Sequence, residues 1–393
     1  MNMHQPWDLR QMQSLPLEAK IRMTKARIKV WYESWMRFEI YNKETGKTRF
    51  VTMDVRDQFA EPELKENEFI KSALDGQVYA AFSGGKDSTV LADMCARFCK
   101  QYGYTLYLLF SNTGLEYPEI QKFVKTFAEW LHNTYGIEVQ LDIVRPEMRF
   151  DQVLKNYGYP VIGKRVSGYI ATAKNNPDSM RAKWIRGEEW TKFVAGGKYT
   201  YLIDSPFPIS DQCCNIMKKK PAKKYAKETG RKPMTGQMAC ESLDRAKEWI
   251  KNGCNGFEMN EPISNPMAFW TEQDVLHYIK KYDIPYCSVY GDIRVKNPEN
   301  TEQGQMNMID YLGCYEPEDT LETTGCDRTG CIFCMFGCHR EKEPNRFQRL
   351  KETHPRQYEY CIGGGEMVDG KWQPSKEGLG LGYVLDYIGV KYD

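Results

Sequence analysis

The sequence has almost no net charge. Its 393 residues carry 54 Lys and Arg against 53 Asp and Glu, a balance of +1. No global field draws the chain to nucleic acid or to an anionic membrane, so any such attraction has to come from a local patch. There is no apolar run near the roughly 20 residues that cross a bilayer. The opening MNMHQPWDLRQMQ lacks a basic stretch followed by an apolar one, so no secretory leader is expected. Internal repeats and low-complexity tracts are absent too. What remains is a globular composition, 41% hydrophobic and 27% charged, long enough for two or three domains. The 13 cysteines are odd in number and come without an export signal. Reduced thiols with metal or redox chemistry therefore fit better than a disulfide framework, and a cytoplasmic location is expected.

Periodicity divides the chain. Residues 14–36 place apolar side chains three and four apart and predict a helix. RFEIYNKETGKTRFVTMDV predicts a β-hairpin turning at Lys43–Lys47, and the acidic residues 56–70 read as a linker. Strands are then expected at 77–82, 104–110 and 138–144, with helices at 88–101 and 117–134 between them. Such alternation implies crossover connections, a mostly parallel sheet and helices on both faces: a doubly wound α/β fold. Residues 160–200 read as irregular. Helices are expected at 214–228, 241–252 and 271–282, the last capped by Thr271, and a short one at 344–360 before a Gly-rich tail. The division expected is 1–74 as a helix-plus-hairpin extension, 75–290 as the main α/β domain, and 291–393 as a Cys-rich region.

The stretch YAAFSGGKDSTVLADM, residues 79–94, carries the chemistry. A strand ends at Phe82, a Ser-Gly-Gly-Lys-Asp-Ser turn follows, and a helix starts near Ser88. Gly84 and Gly85 let the backbone approach an anion with its N–H groups turned inward. The helix start adds unpaired donors and roughly half a unit of positive charge. Lys86 can neutralise phosphate oxygens, and the hydroxyls of Ser83 and Ser88 can donate. It is not a Walker A loop, because Ala80 stands where the first glycine belongs and Asp87 follows the lysine.

SGGKDS resembles the PP-loop of the adenine-nucleotide α-hydrolase group. That group includes ATP pyrophosphatases, tRNA thiolation enzymes and phosphoadenylyl sulfate (PAPS) reductases. FSNTGLEYPEI (110–120), CCNIMKKKP (213–221), MTGQMACESLDR (234–245) and NPMAFWTEQDVLHYIKKYDIPY (265–286) resemble elements of the PAPS-reductase branch, in the expected order. The nearest likeness is to proteins of phages and mobile elements, related to the sulfur-insertion enzymes of DNA phosphorothioation. The resemblance implies that Ser83, Gly84, Gly85, Lys86, Asp87 and Ser88 hold the phosphate or sulfate end of a nucleotide. Lys86 and Asp87 would sit at the chemistry. Asn112, Thr113, Gly114 and Glu116 would line the adjoining loop, with Lys218, Gly236 and Arg245 around the anionic substrate. One departure stands out: Met238 occupies the place where the family's Thr-Gly-x-Arg carries arginine, so a cation is missing at an expected anion contact.

The basic run from Lys218 to Lys232 reads first as a solvated helix face. A nucleic-acid backbone is the alternative partner for it, and the aromatic residues Trp184, Trp190, Phe193, Tyr199 and Tyr201 could stack on bases, although hydrophobic core is their commoner use.

CDRTGCIFCMFGC, residues 326–338, spaces four thiols within thirteen residues around glycines, which suits a metal or cluster. Cys95, Cys99, Cys287 and Cys240 read instead as small packed hydrophobes. Resemblance to adenylyl-sulfate reductases implies Cys213, Cys214, Cys331 and Cys334 around a [4Fe–4S] cluster. The phosphorothioation relatives imply Cys326, Cys331, Cys334 and Cys338. Tetrahedral sulfur ligation also suits Zn²⁺. True reductases carry a nucleophilic cysteine in a short C-terminal tail. Here the last cysteine is Cys361, so either it takes that role or the reductase reaction is absent. The expectation is an enzyme that binds ATP or a sulfonucleotide with Mg²⁺ and transfers sulfur with the help of a donor protein. A sulfonucleotide reductase and a nucleic-acid-binding partner with a nucleotide switch are the alternatives.

Overall fold

The computed structural model describes residues 3–52, 63–188, 197–296 and 319–393. It divides into two units, each drawn from separate stretches of chain. The first takes Met1–Phe110, Pro118–Ile143 and Tyr225–Thr329; the second takes Ser111–Tyr117, Val144–Lys224 and Gly330–Asp393. Among the described residues no helix is long and apolar enough to cross a membrane.

The first unit is organised by a six-stranded sheet. In space its strands run Val139–Val144, Leu106–Ser111, Val78–Ala81, Lys232–Met234, Ile263–Ser264, Asn255–Gly256. Val78–Ala81 pairs in parallel with Leu106–Ser111 on one side and with Lys232–Met234 on the other. Ile263–Ser264 continues in parallel, and Asn255–Gly256 pairs antiparallel to it. The chain thus builds outward from Val78–Ala81 in one direction and later in the other. That makes the C-terminal end of this strand the switch point where open α/β sheets bind ligands. The expected fold class, a mostly parallel doubly wound sheet, is the one observed.

The helix Lys86–Tyr102 follows that strand and is buried on most of its circumference, ending on Gly103 at φ +71°. Its interior carries Asp93, which is fully buried. Tyr278 donates to it at 2.6 Å, Arg97 at 2.8 Å, and Tyr135 also donates. One carboxylate therefore ties this helix to Pro118–Tyr135 and Glu272–Tyr282. On the same unit, Leu17–Glu33 buries Ile28, Trp31 and Tyr32. Its Lys20 reaches both carboxylate oxygens of Asp274 at 2.8 and 2.7 Å. Thr271 caps the Glu272–Tyr282 helix as expected, accepting from the Asp274 amide.

The predicted hairpin is present, Met36–Asn42 against Thr48–Thr52, with Tyr41 opposite Thr48. It is two-thirds of a larger element. Glu68–Gly76 pairs along the other edge of Met36–Asn42, so the supposed acidic linker ends in a strand. Arg49 fixes the start of that strand by a bidentate pair with Glu68. That pair holds the Glu68 carboxyl down at about 2.

The second unit packs helices around one apolar core that includes Val153, Ile170, Ile185, Phe207, Met217, Met335, Phe347 and Leu385. Here the sequence expectation of an irregular 160–200 fails for the described residues 160–188, which contain helices Lys164–Asn175 and Met180–Arg186. Val166, Ile170 and Ala173 form the buried stripe, and Ser179 caps the second helix. Trp184 packs against Tyr169 and Tyr199 is buried, while Tyr201 is exposed. Trp190 and Phe193 lie outside the described residues. The expected helix 344–360 is two helices, Arg346–Thr353 and Pro355–Ile362, broken where Pro355 starts a new first turn. The tail adds a hairpin, Glu366–Val368 with Lys371–Gln373, and a helix, Leu381–Tyr387.

Candidate nucleotide site and thiol cluster

The loop after Val78–Ala81 is shaped by its own small residues. Gly84 stands at φ +73°, and a Cβ there would lie 3.0 Å from methyls of Ile120 and Val124. The Ser83 amide donates to the Ser88 hydroxyl at 3.2 Å, the two hydroxyls meet at 3.1 Å, and Ser88 Oγ donates to the Gly85 carbonyl at 2.9 Å. The serines thus close the loop. The amides of Asp87 and Ser88, in the first helical turn, meet no acceptor among the described residues. The Lys86 amide does have a partner, the Tyr290 hydroxyl at 3.1 Å.

Lys86 is buried and held from two sides. Its ammonium donates to the Asp327 carbonyl at 2.7 Å and pairs with Glu272 at 2.9 Å. Tyr290 in turn meets the Thr329 hydroxyl at 2.8 Å. Segment 327–329 therefore lies on the loop. Gly236 is placed by close approach: a Cβ there would sit 2.9 Å from the Asp87 carbonyl oxygen. Gly236→Ala is accordingly expected to push the loop out of register. It should cost about 1–3 kcal/mol of stability in a denaturant titration, as overpacking does, and weaken adenine-nucleotide binding in the same protein.

Burial raises the Asp87 carboxyl above its usual range, with Lys86 opposing, and its Oδ1 is buried without a partner among the described residues. Nearby, the Met238 amide donates to Glu241 at 2.9 Å, and both Arg245 and Arg328 pair with that same carboxylate. Arg245 also lines a cleft with Gln237, Met238, Trp249 and Asn265. Cys240, expected to be packed, is exposed.

The second unit holds the other site residues. In the 112–116 loop, Gly114 turns at φ +75° and its amide donates to Asn112 at 3.1 Å. Glu116 accepts from the Thr113 amide at 3.1 Å and hydroxyl at 2.7 Å. Lys218 belongs to a π-helical turn, Asn215–Lys219, that precedes the α-helix Lys220–Thr229, so the helix expected at 214–228 opens on a π turn. Its ammonium is held charged by Cys331 and Glu116 against the opposing pull of burial.

Four thiols gather around this lysine. Cys213 and Cys214 share a hydrogen bond that holds the Cys214 thiol below its usual range and Cys213 far above it, and Lys164 and Lys218 add to the effect on Cys214. Cys331 is pushed up to about 11 by burial, with Lys218 opposing and Cys334, Glu116 and Cys214 adding to it. Burial also raises Cys334, whose carbonyl accepts from Arg346 at 2.8 Å. Cys326 belongs to the first unit, and the Cys338 thiol donates to the Met335 carbonyl at 3.0 Å. Among the described residues no group of three or more His, Cys, Asp or Glu stands at metal-holding geometry. Cys361 is fully buried, and its thiol is raised well above the usual range.

Tyr290, Glu272 and the 327–329 segment carry no sequence signal for this role, although Glu272 and Arg328 lie within the stretches WTEQDV and CDRTGC.

A parallel sheet with a glycine-lysine loop and a helix start at its switch point defines an α/β nucleotide-binding protein of the PP-loop type. The family model for the phosphoadenosine phosphosulfate reductase domain matches residues 77–178 and 184–335, and the chain belongs to that family. No curated protein matches the chain.

Proposed function

We propose that this protein binds an adenine nucleotide at residues 83–88 and acts at its α-phosphate or sulfate end, in ATP-dependent transfer of sulfur to an acceptor. The observation that carries the reading is Lys86 together with the open first-turn amides at the end of Val78–Ala81. An acceptor oxygen attacks the α-phosphorus, the α–β bridging bond breaks, and pyrophosphate leaves. Hydrosulfide-level sulfur from a donor protein then takes the place of the adenylylated oxygen, which departs with AMP, and the sulfur's proton goes to solvent. Lys86 exchanges Glu272 for phosphate oxygens, and the amides of Asp87 and Ser88 take up charge on the leaving group. Mg²⁺, when bound, would neutralise phosphate charge, and the unpartnered Oδ1 of Asp87 suits it.

Cys213, Cys214, Cys331 and Cys334 are the thiols we assign to a [4Fe–4S] cluster, with Zn²⁺ as the alternative. A soft all-sulfur donor set fits either, and Cys326 and Cys338 have other surroundings. When bound, such a centre would hold these thiols as thiolates. A sulfonucleotide reductase is the second reading, favoured by the family match. It requires an exposed thiolate of low pKa, and Cys361 is neither exposed nor acidified.

The test is anaerobic purification with iron, sulfide and zinc analysis, then parallel incubation with ATP, PAPS and adenylyl sulfate. Pyrophosphate and AMP from ATP are expected. Thiol-dependent sulfite from a sulfonucleotide, without pyrophosphate from ATP, would replace the first reading with the second.

A further inference from the structure

Glu241 is asked to neutralise two guanidinium groups. Arg245 pairs with it directly, Arg328 stands 3.8 Å away, and the Met238 amide uses a third share of the same carboxylate. Lys86 is matched by Glu272, and Asp87 and Glu248 also act on Arg245. Even so, two guanidinium groups share the Glu241 carboxylate on the face that carries the nucleotide loop. Two guanidinium groups held this close repel, and Arg245 is lowered by burial and then by Arg328. An anion between them would convert that repulsion into binding.

Arg328 is also fixed in place. The residue before it, Asp327, accepts from the Lys86 ammonium through its carbonyl at 2.7 Å. The residue after it, Thr329, bonds to the Tyr290 hydroxyl at 2.8 Å, and that hydroxyl holds the Lys86 amide. The backbone is pinned to the loop on both sides, while the Arg328 side chain is 66% exposed and able to take a ligand. Met238, whose amide is held by Glu241, is buried and brings no charge.

We infer that Arg328, with Arg245, forms a second anion contact of the nucleotide site and binds a further phosphate of an adenine nucleotide. This rests on the proposal that residues 83–88 bind such a nucleotide. Arginine suits the task because its planar fork meets two phosphate oxygens at once.

Calorimetric titrations of the full chain with ATP, PAPS, AMP and adenosine test it, using the natural protein, Arg328→Gln, Arg328→Lys and Lys86→Ala. Arg328→Gln is expected to weaken ATP or PAPS about tenfold, the loss of one charge-assisted contact, and to leave adenosine unchanged. It should also flatten the salt dependence of affinity, with Arg328→Lys recovering part of both. A loss confined to PAPS identifies the 3′-phosphate, and one confined to ATP identifies the triphosphate tail. If Lys86→Ala weakens binding while Arg328→Gln binds ATP and PAPS as the natural protein does, the inference falls and the nucleotide site stands. If the natural protein binds none of the phosphorylated ligands, both fall together.

Discussion

Lys86→Ala is expected to weaken ATP or sulfonucleotide binding by roughly 10- to 100-fold, the value of one or two hydrogen bonds to a charged group, and to reduce turnover at least as much. The ammonium is buried beside the helix start, where charge counts for more than in water. The alanine variant should still fold, because the partner it abandons, Glu272, is about half exposed and can be hydrated. Lys86→Arg should not restore binding. The space is bounded by the Asp327 carbonyl and by the Tyr290 ring 5.3 Å from the ammonium, and a guanidinium fork has a different shape from a point cation. Equal affinity and equal rate in the alanine variant would remove the proposed function.

The largest stability effect is expected at a buried ion pair between Lys20 and Asp274. Lys20 is 2% exposed and holds both oxygens of Asp274. Asp274 also accepts from the Thr271 amide at 2.6 Å and hydroxyl at 2.8 Å, so the same carboxylate anchors the start of the Glu272–Tyr282 helix. Lys20→Met strands a buried carboxylate and should cost about 3–5 kcal/mol. Adding Asp274→Asn removes the uncompensated charge while keeping an oxygen for the cap, and should recover a good part of the loss. Urea unfolding of the two variants and the natural protein measures both steps. A Lys20→Met loss under about 1 kcal/mol, the range of exposed pairs, would show that water reaches this pair.

The parts of the fold legible in the sequence are those with local causes. The strand-loop-helix at 78–102 could be read because glycines, a cap position and two periodicities coincide within a few residues. The hairpin could be read from its alternation and its turn. Lys232–Met234 could not, since three residues with a central proline carry no period, and it is pairing with Val78–Ala81 and Ile263–Ser264 that makes them a strand. Glu68–Gly76 was hidden in an acidic window whose Glu68 is neutralised by Arg49. The site shows the same split. Lys86 and Gly84 announce themselves, but Tyr290 and Thr329 reach the loop across some two hundred residues of chain, and no spacing rule encodes such a contact.

That each unit is assembled from three separated stretches has a consequence for synthesis. The first set of stretches is complete only once residue 329 has been made, and the second only at residue 393. A nascent chain on the ribosome therefore carries strands and apolar helix faces of the first unit without their partners until residue 329 has been made, the stage at which chains most readily aggregate. A stop codon before residue 329 would yield a fragment with neither unit whole, not a smaller working domain.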